Sequence, residues 1–180
     1  MEIIELSLSG LKLIKPRVHF DERGFFVESY RKEEYARAGI DVAFVQDNHS
    51  FSKKGTIRGM HFQRSPGQAK LVTVIHGEIF DVAVDIRPDS PTFGKWEGVY
   101  LKDASCEQLF IPVGFAHGFC VLSESAHVLY KVSNVYNPEE EKGFRFNDPE
   151  VAIQWPENPP VLSLRDEKSP FFADLFKVVT

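Results

Sequence analysis

Charged and imidazole side chains interrupt the apolar runs in the middle of the chain. Arg58 and His61 lie three residues apart in one run, Lys70 begins the next, and Asn48 precedes both. Burying such groups costs free energy unless they are paired or used in chemistry. An imidazole suits a general base near neutral pH, and cationic side chains suit an anionic ligand. His61 alone is better explained by a structural hydrogen bond, but the presence of the other three residues reverses this and favours a functional site.

The spacing of Arg58 and His61 requires an irregular strand. Strict alternation places Gly59, His61 and Gln63 on one face of a strand and Arg58 with Met60 on the other. If Arg58 and His61 serve one pocket, Gly59 must mark a bulge or bend.

Four polar residues in the second half of the chain are further candidates. His117 lies in a turn that leads into an apolar strand. Tyr130 is either a core tyrosine or a proton donor, since a phenol with a pKa of about 10 is protonated at neutral pH. Tyr136 suits ligand stacking or a strand end. Asp166 belongs to a segment, Ser163–Asp166, that predicts a surface turn, and nothing local distinguishes it.

Runs of β-branched and aromatic residues, separated at short intervals by Gly and Pro, predict a mainly β domain. Two short helices are predicted, Arg31–Ala38 ending at Gly39, and Phe171–Phe176 with Ser169 as N-cap and Pro170 at its first position. A single double-sheet jelly roll over residues 1–180 suits this pattern and length. The predicted strands are Leu11–Phe20, Phe25–Tyr30, Phe44–Asn48, Ile57–Gln63, Lys70–His76, Glu78–Ile86, Trp96–Leu101, Gln108–Ile111, Gly118–Leu122 and His127–Val132.

Composition excludes several classes of protein. The 21 basic and 26 acidic residues give a net charge of −5, which argues against nucleic-acid binding by bulk electrostatics. The most apolar run, Leu109–Leu122, is short and broken by Pro112 and Gly114, so no membrane span is expected. The chain has two cysteines and no positively charged start of a secretory signal, and we therefore expect a cytoplasmic protein.

These residues lie in ordered motifs through which the chain resembles the dTDP-4-dehydrorhamnose 3,5-epimerases from about Leu6 to Leu175. The many motifs in one order make the resemblance specific. They are DERGFFVE at 21–28, QDN at 46–48, RGMHFQ at 58–63, QAKLV at 68–72, GEIFDV at 77–82, DIR at 85–87, TFGKW at 92–96, the segment 111–119 ending in AHGF, YK at 130–131, DP at 148–149, IQWP at 153–156 and SLRD at 163–166.

The resemblance implies a cupin-like jelly roll, without metal or cofactor, that inverts C3 and C5 of a dTDP-4-keto-6-deoxy sugar. It implies that His61 is the base, Asp166 holds its imidazole, Tyr130 is the acid on the opposite face, and Lys70 steadies the enolate oxygen. It also implies a homodimer whose N-terminal strands cross to the partner. The substrate-binding positions that it implies are Arg23, Glu28, Gln46, Asn48, Arg58, His117 and Tyr136. The family commonly has lysine where this chain has Arg165.

Three other functions stay open from the sequence. A 3-epimerase or 5-epimerase of another dTDP-4-keto-6-deoxy sugar would use the same base and acid. A non-catalytic sugar-nucleotide-binding jelly roll would lack one of them. A metal-dependent cupin would usually have two histidines one residue apart, whereas Gln63 follows His61 at that spacing, and His117 brings no third ligand nearby.

Overall fold

The structure is a computed structural model that describes residues 1–156 and 160–176. Two antiparallel sheets face each other, in the orders β1-β2-β10-β7-β12-β5 and β13-β6-β11-β8-β9, and β3 with β4 forms a separate hairpin. This arrangement confirms the predicted mainly β jelly roll. Its strands are β1 Glu2–Glu5, β2 Lys12–Lys15, β3 Val18–Asp21, β4 Gly24–Val27, β5 Gln46–Lys53, β6 Ile57–Gln63, β7 Lys70–His76, β8 Glu78–Asp85, β9 Trp96–Lys102, β10 Gln108–Ile111, β11 Phe115–Val121, β12 Ser125–Val132 and β13 Glu141–Gly143. Its helices are α1 Lys32–Arg37, α2 Leu164–Glu167 and α3 Phe172–Leu175, and Asp103–Ser105 forms one 3₁₀ turn.

The main core lies between the two sheets. Val72 and Val128 of the six-stranded sheet pack with Ile79, Ala83 and other buried residues of the five-stranded sheet. Successive side chains of a strand point to opposite faces, so residues two positions before or after a core residue on the same strand also face the interior. Lys70, Asp81, His117 and Tyr130 therefore lie on inward faces.

The C-terminal segment covers the outer face of the five-stranded sheet. Phe144 and Phe172 pack with Val82 and Val84, whose side chains point away from the main core. This cover explains why β8 is apolar on both faces, and it places α2 beside the sheet. Helix α1 similarly packs Tyr35 against the outer side of the six-stranded sheet.

Several predicted boundaries were wrong. The run Leu11–Phe20 is two strands, because Pro16 has no N–H to donate to a ladder. The polar strands β1 and β13 were missed, as was α2, which is only four residues long. Helix α3 is capped by Phe171 rather than Ser169, since the Asp174 carboxylate accepts the Phe171 N–H at 3.1 Å. Gly39, with a φ of +78°, follows α1 as predicted.

Candidate active site

A cavity of about 440 Å³ opens between the two sheets, a volume typical of small-ligand sites. It unites nine of the eleven residues that the sequence suggested. Its lining also includes five that the sequence analysis missed, Gln68, Phe119, Glu141, Ser163 and Arg165. The nine are Gln46, Asn48, Arg58, His61, Lys70, His117, Tyr130, Tyr136 and Asp166.

A break in strand register at Gly59 brings Arg58 and His61 to this one cavity. Residue His117 of β11 pairs with His61, but two residues later Phe119 pairs with Arg58, so one strand carries an extra residue. Gly59 has a φ of +124°, and a Cβ there would lie 2.6 Å from the Gly118 Cα. The predicted irregularity at Gly59 is confirmed, and only glycine fits it.

His61 and Asp166 form a hydrogen-bonded pair across 105 residues of sequence. His61 Nε2 lies 2.6 Å from Asp166 Oδ1, and the carboxyl group is only 4% exposed, so the prediction of a surface turn was wrong. Ser163 caps α2, because its Oγ accepts the Asp166 N–H at 3.1 Å. Burial is the largest single effect on Asp166 and opposes its ionisation, but the hydrogen bond and charge of His61, with smaller effects of Ser163 and Arg165, together lower the pKa of the carboxyl group. The Ser-x-x-Asp spacing was the available sequence signal for this cap.

Lys70 and Tyr130 face the cavity from the six-stranded sheet. Lys70 Nζ lies 6.0 Å from the centre of the Tyr130 ring. Burial lowers the pKa of Lys70 to about 8, against the attraction of Glu141 and Asp81. Burial also raises the pKa of Tyr130, so its phenol stays protonated at neutral pH. Among residues 1–156 and 160–176, the Lys70 ammonium has no hydrogen-bond or ion-pair partner.

A second histidine–carboxylate pair adjoins the first. His117 Nε2 lies 2.5 Å from Asp81 Oδ1, and both residues are buried. His117 also pairs in register with His61 on the neighbouring strand. Burial lowers the pKa of His117, which is therefore neutral at neutral pH. Asp81 was not predicted as a site residue, although it is a polar group inside an apolar run, the same signal that indicated His61.

Polar side chains line the mouth of the cavity. The Tyr136 hydroxyl donates to Glu141 Oε2 at 2.9 Å, and Arg165 Nη1 lies 2.6 Å from the same oxygen. Gln46 links the loop to the sheet, since its Oε1 accepts the Tyr136 N–H at 3.0 Å and its Nε2 donates to Asn48 at 2.8 Å. The mouth therefore combines amide groups, one exposed ring and a paired cation.

Arg23 and Glu28 lie outside this cavity. Arg23 is at the turn of the β3–β4 hairpin, exposed to solvent and paired with Asp21 at 2.5 Å. Glu28 lines a different cavity beside α1. Within one chain the structure therefore does not bring these two residues to the others.

The described residues form neither a metal-binding cluster nor a membrane-spanning helix. In residues 1–156 and 160–176, no group of three or more His, Cys, Asp or Glu side chains is arranged to hold a metal ion. Over the same residues, no helix combines the length and the apolar character that crossing a membrane requires.

The chain is similar in sequence to proteins of one known family. The sequence model of the family described as dTDP-4-dehydrorhamnose 3,5-epimerase matches residues 5–174. A protein of that name from Shigella flexneri is 48% identical over 176 residues, which cover 97% of each chain. One from Neisseria gonorrhoeae is 51% identical over 167 residues, which cover 92% of this chain but 51% of that protein, so this chain spans about half of its length.

A solved structure has the same fold. It is a dTDP-6-deoxy-D-glucose-3,5-epimerase from Legionella pneumophila Philadelphia 1, in complex with dTDP-4-keto-L-rhamnose. That protein is 48% identical, and the superposition has a TM-score of 0.92 over 94% of this chain and 92% of the other.

Proposed function

This chain belongs to the dTDP-4-dehydrorhamnose 3,5-epimerase family and is an isomerase, and on that premise we propose how its residues carry out the reaction. The family reaction inverts C3 and C5 of dTDP-4-dehydro-6-deoxy-D-glucose and gives dTDP-4-dehydro-L-rhamnose, a step in dTDP-L-rhamnose biosynthesis. The C4 ketone acidifies the hydrogens on C3 and C5, because each carbanion delocalises onto oxygen as an enolate. The enzyme must therefore remove a proton from one face of the ring and return one to the other.

His61 is the base in this proposal. The Asp166 carboxylate accepts the Nε2–H of the imidazole, which leaves the Nδ1 lone pair free to take a proton. The same carboxylate stabilises the imidazolium that forms, as in a serine-protease triad. The 2.6 Å pair at the cavity wall supports this role.

Tyr130 is the acid on the opposite face. His61 belongs to β6 of one sheet and Tyr130 to β12 of the other, and both side chains line one cavity. A sugar ring held between the sheets would have the imidazole on one side and the phenol on the other. This placement on opposing sheets is the observation that carries the proposal.

Lys70 stabilises the enolate oxygen. Its buried ammonium lacks a partner within the described part of the chain, so a developing oxyanion would supply one. A fixed positive charge in a site with little water stabilises such an oxyanion most strongly.

The mouth of the cavity binds the nucleotide. Arg58 suits a diphosphate oxygen, because a guanidinium pairs with two oxygens at once. Gln46 and Asn48 offer amide groups to a base, and the exposed Tyr136 ring can stack on it. His117 completes the sugar subsite from β11. The dTDP-sugar in the Legionella pneumophila relative supports thymidine as the nucleoside.

We also propose a homodimer in which the β3–β4 hairpin docks on a second copy of the chain. Phe20, Phe25 and Phe26 are exposed on this hairpin, which pairs with no other strand of the described residues. Such aromatic exposure is typical of an interface. The exchange would deliver Arg23 and Glu28 to the partner's cavity.

Mixing two inactive variants tests the exchange. Arg23→Ala and His61→Ala proteins, combined after partial denaturation, regain activity if Arg23 acts in the site of the partner subunit. A monomer by light scattering, or mixtures that stay inactive, would exclude the exchanged dimer. We further propose that the protein works in the cytoplasm, where the thiols of its two cysteines, Cys106 and Cys120, stay reduced.

The reaction itself is tested with dTDP-4-dehydro-6-deoxy-D-glucose in deuterated water. Proton NMR of the product should show deuterium at both C3 and C5 and the L-rhamno configuration. Deuterium at one position would indicate a 3-epimerase or 5-epimerase, and binding without exchange a sugar-nucleotide-binding protein. Activity that disappears with a chelator and returns with metal would indicate a metal-dependent enzyme.

A further inference from the structure

Asp81 is a fully buried carboxylate that the proposed mechanism does not use. One of its oxygens is bonded to His117, and the other, also buried, has no hydrogen-bond partner in the part of the chain that the structure describes. On strand β8, Asp81 lies on the same face as Ile79 and Ala83, so its side chain points into the space between the two sheets. A buried carboxylate is costly unless a nearby cation compensates it.

His117 does not provide that compensation. The imidazole is neutral, because burial lowers its pKa more than the attraction of Asp81 raises it. The pair therefore carries one negative charge. In a neutral imidazole one ring nitrogen holds the proton, and the 2.5 Å contact with a carboxylate assigns that proton to Nε2.

Lys70 is the cavity cation whose charged form Asp81 favours, whereas the Arg58 guanidinium donates to Ser52 Oγ and to the Phe51 carbonyl. The ionisable groups around Lys70 are Glu141 on β13, Asp81 on β8, His117 on β11, His61 on β6 and Tyr130 on β12. Both carboxylates raise its pKa, and the effect of Glu141 is the larger. However, Glu141 has its own cation, since Arg165 lies 2.6 Å away.

We propose that Asp81 is a positioning residue for the epimerisation, one that holds His117 as the Nε2–H tautomer and serves as the buried counter-charge of the Lys70 ammonium. This inference rests on the proposed role of Lys70 at the enolate oxygen. The second histidine–carboxylate pair then helps to keep the charge that stabilises the enolate oxygen, and it takes no part in proton abstraction.

The Asp81→Asn variant removes the charge and nearly keeps the shape. Lys70 then loses one of two anions that favour its charged form, so its pKa falls and a smaller fraction is protonated at a given pH. We expect the alkaline limb of kcat to move by about one pH unit to lower pH, and kcat near pH 8 to fall about fivefold, with KM within about twofold of wild type. Asp89→Asn, an exposed aspartate outside the cavity, is the matched control and should leave the profile unchanged.

A spectroscopic measurement on the wild-type protein covers the case in which the variant does not fold. With ¹⁵N-labelled histidine, one imidazole should be neutral with a protonated Nε2 from about pH 7 to pH 9, and its signal should be lost in His117→Gln. A charged His117 in this range, or a protonated Nδ1, would overturn the tautomer assignment.

The outcomes separate this inference from the proposed function. An Asp81→Asn variant with the wild-type pH profile and kcat, in an enzyme that loses activity in His61→Ala, would overturn the role of Asp81 and leave the mechanism intact. Wild-type protein that does not convert the keto-sugar would instead refute the proposed function. A shifted alkaline limb in Asp81→Asn but not in Asp89→Asn supports the inference.

Discussion

Replacing Lys70 with methionine should stabilise the protein while nearly abolishing its activity. Burial lowers the pKa of this side chain from 10.5 to about 8. Each tenfold change in proton binding corresponds to about 1.4 kcal/mol, so keeping Lys70 charged costs the folded state about 3 kcal/mol. Methionine has a similar volume and no charge, and at pH 7 Lys70→Met should therefore raise the free energy of unfolding by up to about 3 kcal/mol.

The stability difference should depend on pH in a definite direction. Below pH 8 both the folded and the unfolded wild-type protein hold the Lys70 proton, and the full cost is present. Between about pH 8 and 10.5 the unfolded state binds more protons than the folded state, so wild-type stability rises with pH relative to the variant. Above that range the lysine is neutral in both states, and the two proteins should converge.

Urea unfolding of both proteins at pH 7 and pH 9.5, with Lys102→Met as an exposed control, measures this difference. Loss of the ammonium should lower kcat about 10²- to 10³-fold, as for the loss of one oxyanion donor. A Lys70→Met protein that is less stable than wild type at pH 7, or that keeps its kcat, would contradict the assigned burial and role.

Three further substitutions test the site. His61→Ala should abolish exchange of the C3 and C5 hydrogens with deuterated water while circular dichroism stays native, and near-normal exchange would remove His61 from the mechanism. Tyr130→Phe should reduce net inversion far more than proton abstraction, measured as product formation against deuterium uptake, and equal losses would argue against an acid on the opposite face. Gly59→Ala should lower the free energy of unfolding by more than about 1 kcal/mol in urea, because its Cβ would meet the β11 backbone; wild-type stability would show that the strand tolerates a side chain.

The sequence predicted most of the fold because the central strands are strongly patterned. The bounds of β6, β7 and β10 were predicted correctly, since their β-branched and aromatic runs end at turn residues. The strands β1 and β13 escaped prediction because short, polar edge strands have no alternating apolar face. These strands form because they pair with β2 and β6 respectively, and the local sequence pattern does not predict that pairing.

The sequence indicated which types of residue form the site, but it did not indicate which of these residues form hydrogen-bonded pairs. The resemblance supplied a role for Asp166, yet the local pattern indicated only a surface turn, because its burial depends on how residues beyond β13 pack against the five-stranded sheet. Asp81 was not predicted because its hydrogen-bond partner, His117, is 36 residues away in sequence, and the local pattern shows only an apolar run. Arg23 and Glu28 show the opposite case, because the sequence motifs place them with these residues, whereas within one chain they lie outside the cavity.

The position of α2 in the chain sets an order of events during synthesis. Both sheets are complete once Gly143 has left the ribosome, whereas Asp166 follows more than twenty residues later. Until residues 144–176 have emerged, the outer face of the five-stranded sheet, with Val82 and Val84, has no cover, and His61 has no carboxylate behind it. We therefore expect the His61–Asp166 pair, and with it the activity proposed for His61, to form late, when the C-terminal segment packs against this sheet.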